Sequence, residues 1–193
     1  MNPALFVSRQ LLADFGDAIG DILARAPRRL ELLAFTPGMA LTPAQSARIE
    51  ASFYSRDIWE GTTKNGLSPA SIAYWGIVDA APNLKWVQVV SAGADQKRYQ
   101  TVIARGIRVT TSAGANAEPV GLTGVTGLMM LARGFPHWMR AQRERKWLPQ
   151  LGADTPPDLG GQTVVIVGMG HLGKVIARVL KAVGLRVIGV RRN

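Results

Sequence analysis

The sequence predicts an α/β fold, with a parallel sheet built from alternating strands and helices over roughly the first 115 residues and one further strand–helix–strand unit near residue 193. Three observations carry this. Short β-type apolar runs alternate with stretches of helical period. Residues 163–173, Thr-Val-Val-Ile-Val-Gly-Met-Gly-His-Leu-Gly, place a G-x-G-x-x-G turn directly after one such run. An apolar content of 47% over 193 residues is ample for a buried core.

Taken in order, the β-type runs are Leu5 to Val7, Leu30 to Phe35, Ala51 to Tyr54, Trp86 to Val90 and Ile107 to Thr110. Between them, helical patterns cover Asp14 to Arg25, Pro43 to Glu50, Pro69 to Ala80 and Asp95 to Ala104. Thr42 and Ser68 each stand as an N-cap before a first-turn proline, and Gly106 stops the fourth helix. Such alternation predicts a parallel sheet covered on both faces. A longer helix spans Ala117 to Ala132, with Asn116 as its cap and Pro119 tolerated in the first turn. Gly121, Gly124 and Gly127 lie along it at a spacing of three, which points to close backbone approach to a neighbour. Leu151 to Gly161, rich in Pro, Gly and Asp, reads as a linker.

The glycine turn is informative because of its surroundings. With 21 glycines in the chain, three at fixed spacing arise by chance in roughly a quarter of such sequences, so the flanking elements decide. Val164 to Val167 form a strand before it, and Leu172, Val175, Ile176, Val179, Leu180 and Val183 form one apolar helix face after it. Gly184 sits at the helix end and Leu185 to Val190 closes a βαβ unit. In that setting Gly168 allows the tight turn, Gly170 lets a pyrophosphate approach, and Gly173 lets helix and strand pack closely. The amides at His171 and Leu172 face the anion.

Composition excludes several classes. No cysteine is present, which removes disulfides, thiolate metal sites and a cysteine nucleophile, and two histidines leave little for a metal cage, so no metal site is assigned. No apolar run approaches a membrane span and no signal peptide is recognisable, so the reading is a cytoplasmic protein without membrane attachment. The net charge is +10. Arg133, Arg140, Arg143, Arg145 and Lys146 against Glu144 supply +4 of it, interleaved with Trp138 and Trp147. Cations alternating with aromatics suit nucleic acid. The preferred reading is an amphipathic arm whose Phe135, Trp138, Met139 and Trp147 pack on an apolar partner surface while the cations stay solvated.

Four segments in order resemble the D-isomer-specific 2-hydroxyacid dehydrogenases, of the glyoxylate or hydroxypyruvate reductase type. They are Leu84 to Asp95, Ala117-Glu118-Pro119 with its long helix, the arm from Arg133 to Trp147, and Leu159 to Gly173. The resemblance implies a flavodoxin-like substrate domain, residues 1–116, followed by residues 117–193 with the crossover helix, a dimerisation arm and the first βαβ unit of an incomplete Rossmann domain that binds NAD(P). It implies hydride transfer between nicotinamide and a small 2-hydroxy or 2-oxo acid, and a homodimer in the complete protein. The amides around Ala92, Gly93 and Ala94 would hold the substrate carboxylate, with Arg56 as an added cation or a solvated loop residue. Gly168, Met169, Gly170, His171, Leu172 and Gly173 would bind the cofactor.

An acidic residue after the second Rossmann strand selects NAD. Arg191 and Arg192 stand there instead, which favours NADP, with NAD the alternative. The family's catalytic arginine, carboxylate and histidine lie downstream of that strand. His137 and His171 match none of them, so no catalytic residue is assigned. The expectation is a truncated or incomplete N-terminal portion, inactive by itself. The alternative is a non-catalytic NAD(P)H-binding regulatory module.

Overall fold

Strand β1 (Ala4–Ser8) ends in a serine whose side chain accepts from the Leu11 amide at 2.9 Å, and this cap starts helix α1 (Arg9–Ala24). The chain returns as β2 (Glu31–Phe35), makes one turn of helix α2 (Pro43–Ser46), and re-enters the sheet as β3 (Ile49–Tyr54). A second single turn, α3 (Arg56–Trp59), precedes α4 (Pro69–Asp79), β4 (Trp86–Val89), α5 (Lys97–Ala104) and β5 (Arg108–Thr111). The long helix α6 (Ala117–Ala132) leads to α7 (Phe135–Arg143), and β6 (Thr163–Val167), α8 (His171–Ala182) and β7 (Arg186–Val190) follow. This computed structural model describes residues 2–63 and 65–192. Its residues fall into two compact units, Met1–Ser112 and Ala113–Asn193.

In the first unit all five strands pair in parallel, in the order β2-β1-β3-β4-β5. That order is the flavodoxin-like one, with the crossover between β1 and β3 at the point where chain direction across the sheet reverses. Phe6, Tyr54, Tyr74, Val87, Val89 and Val102 are almost wholly buried and form its centre. Tyr74 stacks on Phe6 and Tyr54, with centroids 5.6 and 5.2 Å apart. Burial pushes its phenol pKa far above the ordinary value, partly opposed by a hydrogen bond with Ser52, so it stays protonated.

A buried hydroxyl network ties α3 and α4 to this core. Ser68 caps α4 and accepts from the Ser71 amide at 3.2 Å. The Ser71 hydroxyl donates to the Ile58 carbonyl at 2.8 Å and meets Tyr54 Oη at 2.5 Å and Thr62 Oγ1 at 2.7 Å. At the strand ends, Ser8 and Ser55 both donate to Asp57 Oδ1, at 3.0 and 2.6 Å. One carboxylate thereby joins the starts of α1 and α3.

In the second unit β6 and β7 pair in parallel. Val164, Leu185 and Val187 pack against Leu180, Val125 and their neighbours on α6 and α8, and Ile166 is buried. The opposite face carries Val165, Val167, Ile188 and Val190, exposed by 43 to 85%. Among the described residues this face of the two-stranded sheet is left uncovered. Gly184 has φ +88 and closes α8, with Leu185 N–H donating back to the Leu180 carbonyl at 3.1 Å.

Several boundaries differ from expectation. The helix expected over Pro43 to Glu50 stops at Ser46, because Ile49, fully buried, pairs with Ala4 in the parallel ladder. Helix α1 begins five residues earlier than Asp14, at the Ser8 cap, and kinks at Phe15 (φ −136°, ψ 15°). Helix α5 starts at Lys97 rather than Asp95. Asn116 makes no capping hydrogen bond to α6. Of the three α6 glycines only Gly121 is tightly approached, where an added Cβ would lie 2.8 Å from Val175 Cγ1; Gly127 faces open space.

Replacing Ser71, fully buried, by alanine leaves the Tyr54 hydroxyl without its partner and is expected to cost about 1–3 kcal/mol. Thr101→Ala, at an exposed hydroxyl, should stay within about 0.5 kcal/mol. Urea unfolding of the two variants measures the difference, and equal midpoints would show that the network adds no net stability.

Candidate functional site

Two clusters of candidate residues lie at the C-terminal ends of strands, one in each unit. In the second unit β6 ends at Val167 and the turn begins with Gly168 at φ +105°, a conformation that favours glycine. Its N–H donates to the Val190 carbonyl at 2.8 Å, continuing the parallel ladder, so Arg191 directly follows the residue paired with the turn. Gly170 is the N-cap of α8 in extended conformation, and a Cβ added there would meet nothing within 4 Å. Gly173 is the opposite case. Its Cβ would fall inside the van der Waals shell of the Gly168 carbonyl oxygen, so helix and turn touch only because the side chain is missing.

The first amides of this twelve-residue helix have no side-chain cap, and the space beside Gly170 is open. Met169 folds across β7, where a Cβ on Gly189 would lie 2.6 Å from Met169 Cγ. His171 is exposed and makes no hydrogen bond among the described residues. Its ring packs on Gly114, which has φ +87° and whose Cβ would come within 2.8 Å of His171 Cγ. Leu172 is 44% exposed. Arg191 and Arg192 are exposed and, among the described residues, have no carboxylate within ion-pair distance.

In the first unit the loop after β4 contains Ala92, Gly93 and Ala94. Three carbonyls in and beside it are used: the Ser91 carbonyl accepts from the Ser112 amide at 2.9 Å, the Gly93 carbonyl from Ser91 Oγ at 2.8 Å, and the Ala94 carbonyl from Gln100 Nε2 at 2.7 Å. The amides of residues 92 to 95 find no acceptor among the described residues. Polar backbone groups without internal partners are met by solvent or ligand. Consecutive amides free of internal acceptors are donors that an anion can use where the backbone turns them to one side. A Cβ at Gly93 would meet Asp95 Oδ1 at 2.8 Å, so a larger residue there would displace the Asp95 carboxylate.

Arg56 begins α3 after the neighbouring strand β3, and its guanidinium stacks on the Trp59 ring at 4.7 Å to the centroid. Stacking leaves its N–H edge available while fixing the plane. Asp57, Ser91 and Gln100 shape this region and were not singled out in the sequence. Nothing in a single hydroxyl or amide side chain marks it before its partners are known.

The basic arm is a helix with a return. His137 Nε2 lies 3.0 Å from the Leu148 carbonyl and joins α7 to the segment after it. Between them a groove of about 550 Å³ is lined by Trp138, Ala141, Lys146, Trp147, Leu148 and Pro149. Trp147 is 90% exposed. Among the described residues no helix is long and apolar enough to cross a membrane, and no group of three or more His, Asp or Glu is placed to hold a metal ion.

Residues 125–193 match the family described as D-isomer specific 2-hydroxyacid dehydrogenase, NAD binding domain. A glyoxylate reductase from Korarchaeum cryptofilum is 33% identical over 118 residues, covering 58% of this chain and 34% of the relative. A solved D-isomer specific 2-hydroxyacid dehydrogenase family protein from Aeromonas salmonicida superposes with a TM-score of 0.62 at 20% identity, covering all of this chain and 54% of that one. The D-isomer specific 2-hydroxyacid dehydrogenase from Xanthobacter autotrophicus Py2, solved with NADPH and MES, gives 0.61 at 21%, again over 100 and 54%. The matched stretch thus spans about a third of the curated relative and about half of the solved structures. At such identities the solved structures show the fold.

The two helix-start glycines should separate cleanly in stability. Gly173→Ala forces helix and turn apart and is expected to cost about 1–3 kcal/mol, whereas Gly170→Ala, with open space around the new methyl, should change stability by less than about 0.5 kcal/mol. Denaturant unfolding followed by circular dichroism reads both.

Proposed function

We propose, on the premise that the chain through its residues 125–193 belongs to the D-isomer-specific 2-hydroxyacid dehydrogenase family, that it is the cofactor-gripping and substrate-carboxylate-gripping part of an NADP-preferring 2-hydroxyacid oxidoreductase. The observation that carries this is the glycine turn: Gly168 bends, Gly173 lets α8 touch the turn, and Gly170 keeps the helix N-terminus clear. A dinucleotide pyrophosphate fits that arrangement, held by the amides from Gly170 to Leu172 and flanked by Met169 and His171. Bound nicotinamide supplies the hydride acceptor or donor for the 2-carbon of a small 2-hydroxy or 2-oxo acid.

Arg191 follows the residue paired with Gly168, where a 2′-phosphate on the adenosine ribose would be met by Arg191 and Arg192. The donor loop of Ala92, Gly93 and Ala94 takes the substrate carboxylate, and Arg56 contributes a charge held flat by Trp59. On this reading residues 1–116 form the substrate domain and residues 117–193 the cofactor side. The α7 arm, with Trp138 and Trp147 exposed, packs on a second copy. Neither His137, engaged with Leu148, nor His171, packed on Gly114, is placed as a general acid or base, so the chain alone binds without turning over.

Calorimetric titration of the 193-residue chain is expected to give NADPH binding at least about tenfold tighter than NADH, an advantage lost in the double variant R191A/R192A. Gly170→Ala should weaken both dinucleotides without lowering stability. Equal affinities would remove the NADP assignment, and absence of binding to either would remove the dinucleotide site. Turnover of NADPH with pyruvate or glyoxylate by the chain would contradict its assignment as a binding part. Titration at rising salt checks the arm: a steep loss of affinity for a DNA or RNA oligonucleotide would revive the nucleic-acid reading.

A further inference from the structure

The loop after β4 has a polarity set by side chains outside the three residues that carry its amides. A peptide unit is planar and trans, so a carbonyl and the N–H of the following residue point in opposite directions. Fixing one fixes the other. Ser91 Oγ donates to the Gly93 carbonyl at 2.8 Å and so aims the Ala94 amide away from the serine. Gln100 Nε2, reaching back from the first turns of α5, donates to the Ala94 carbonyl at 2.7 Å and aims the Asp95 amide away from the helix. The Ser112 amide does the same for the peptide between Ser91 and Ala92. Three carbonyls of one short loop are occupied, while the amides of 92, 93, 94 and 95 have no acceptor among the described residues.

Below the loop, Tyr99 is 1% exposed and its hydroxyl lies near Ser91 without closing a hydrogen bond. Burial raises the pKa of this phenol.

We propose that Ser91 and Gln100 are positioning residues of the carboxylate site: they hold two peptide planes so that the amides of Ala94 and Asp95 join those of Ala92 and Gly93 as donors to the anion. This rests on the reading of that loop as the substrate-carboxylate site. Asp95 enters the site through its backbone; its carboxylate lies against Gly93, at 2.8 Å from where a Cβ would be. A side-chain role for Asp95 as an anion ligand is excluded by its charge.

The test is a titration of the ¹⁵N-labelled 193-residue chain with sodium pyruvate, following the amide resonances of residues 92 to 95, with propionamide as the uncharged control. Wild type is expected to show saturable downfield shifts at Ala92, Gly93, Ala94 and Asp95 with pyruvate and none with the control. Gln100→Met, which keeps length and loses the donor, should raise the dissociation constant about fivefold, the factor one ordinary hydrogen bond carries. The Asp95 shift should shrink most. Ser91→Ala should do the same with the Ala94 shift reduced most. Gln100→Glu, which turns the donor into a carboxylate, should lose more than Gln100→Met, and it provides the reading if either other variant loses its folded spectrum. Wild-type affinity and an unchanged shift pattern in the variants would overturn the positioning role while leaving the carboxylate site in place. Absence of any pyruvate-dependent shift at residues 92 to 95 in wild type would overturn both.

Discussion

The contact between Gly173 and the Gly168 carbonyl is the constraint on which the second unit depends. A helix following a strand through a three-residue turn can approach that strand only as closely as its first-turn side chains allow. With no side chain at Gly173, α8 drops onto the turn. That seats Leu180 against Val164, Leu185 and Val187, and it sets where the helix begins. Gly121 makes the same concession on the far side of α8, where α6 comes against Val175. The helix is held between two absent side chains. Close packing of α8 on both sides therefore rests on these two glycines together with the side chains of its apolar face.

The first unit solves a related problem with polar side chains. Its sheet ends carry serines: Ser8, Ser52 and Ser55 are each at most 2% exposed. Hydroxyls in a core are costly unless paired, and here each is paired across elements, Ser8 and Ser55 to Asp57, Ser52 to Tyr74. The Ser8, Ser55 and Asp57 bonds tie down the residues that follow β1 and β3, where Arg56 emerges. Adjacent strands β3 and β4 bring Arg56 and the Ala92 to Ala94 loop out side by side, with the Val90 amide donating to the Tyr54 carbonyl at 3.1 Å.

Much of this was legible in the sequence because it is written in periodicity and in glycine. Among the described residues, all seven strands fall within about two residues of the runs that announce them, and α6 spans Ala117–Ala132 as its pattern indicates. Thr42 and Ser68 cap as a Thr or Ser before Pro suggests. Pro43 to Glu50 misled because a capped, proline-started helix announces its beginning and not its end; sheet register, a long-range property, claimed Ile49. The Ser8 cap was hidden inside a strand pattern. In the candidate sites the glycines were visible and their supports were not. Gln100 and Ser91 act through hydrogen bonds to backbone atoms several residues away, and composition carries no trace of such reach.

The bare outer face of β6 and β7 bears on how the molecule behaves among its own copies. Val165, Val167, Ile188 and Val190 form a strip of branched hydrocarbon, and the chain around it carries a net +10. Like charge keeps such strips apart at low ionic strength. At about 0.15 M salt that repulsion is screened beyond roughly 8 Å, while salts of the sulfate and phosphate kind strengthen hydrocarbon contact. Colloidal behaviour is then governed by a balance between a stripe a few residues wide and the charge of the whole surface. The buffer in which the protein is handled sets which one prevails.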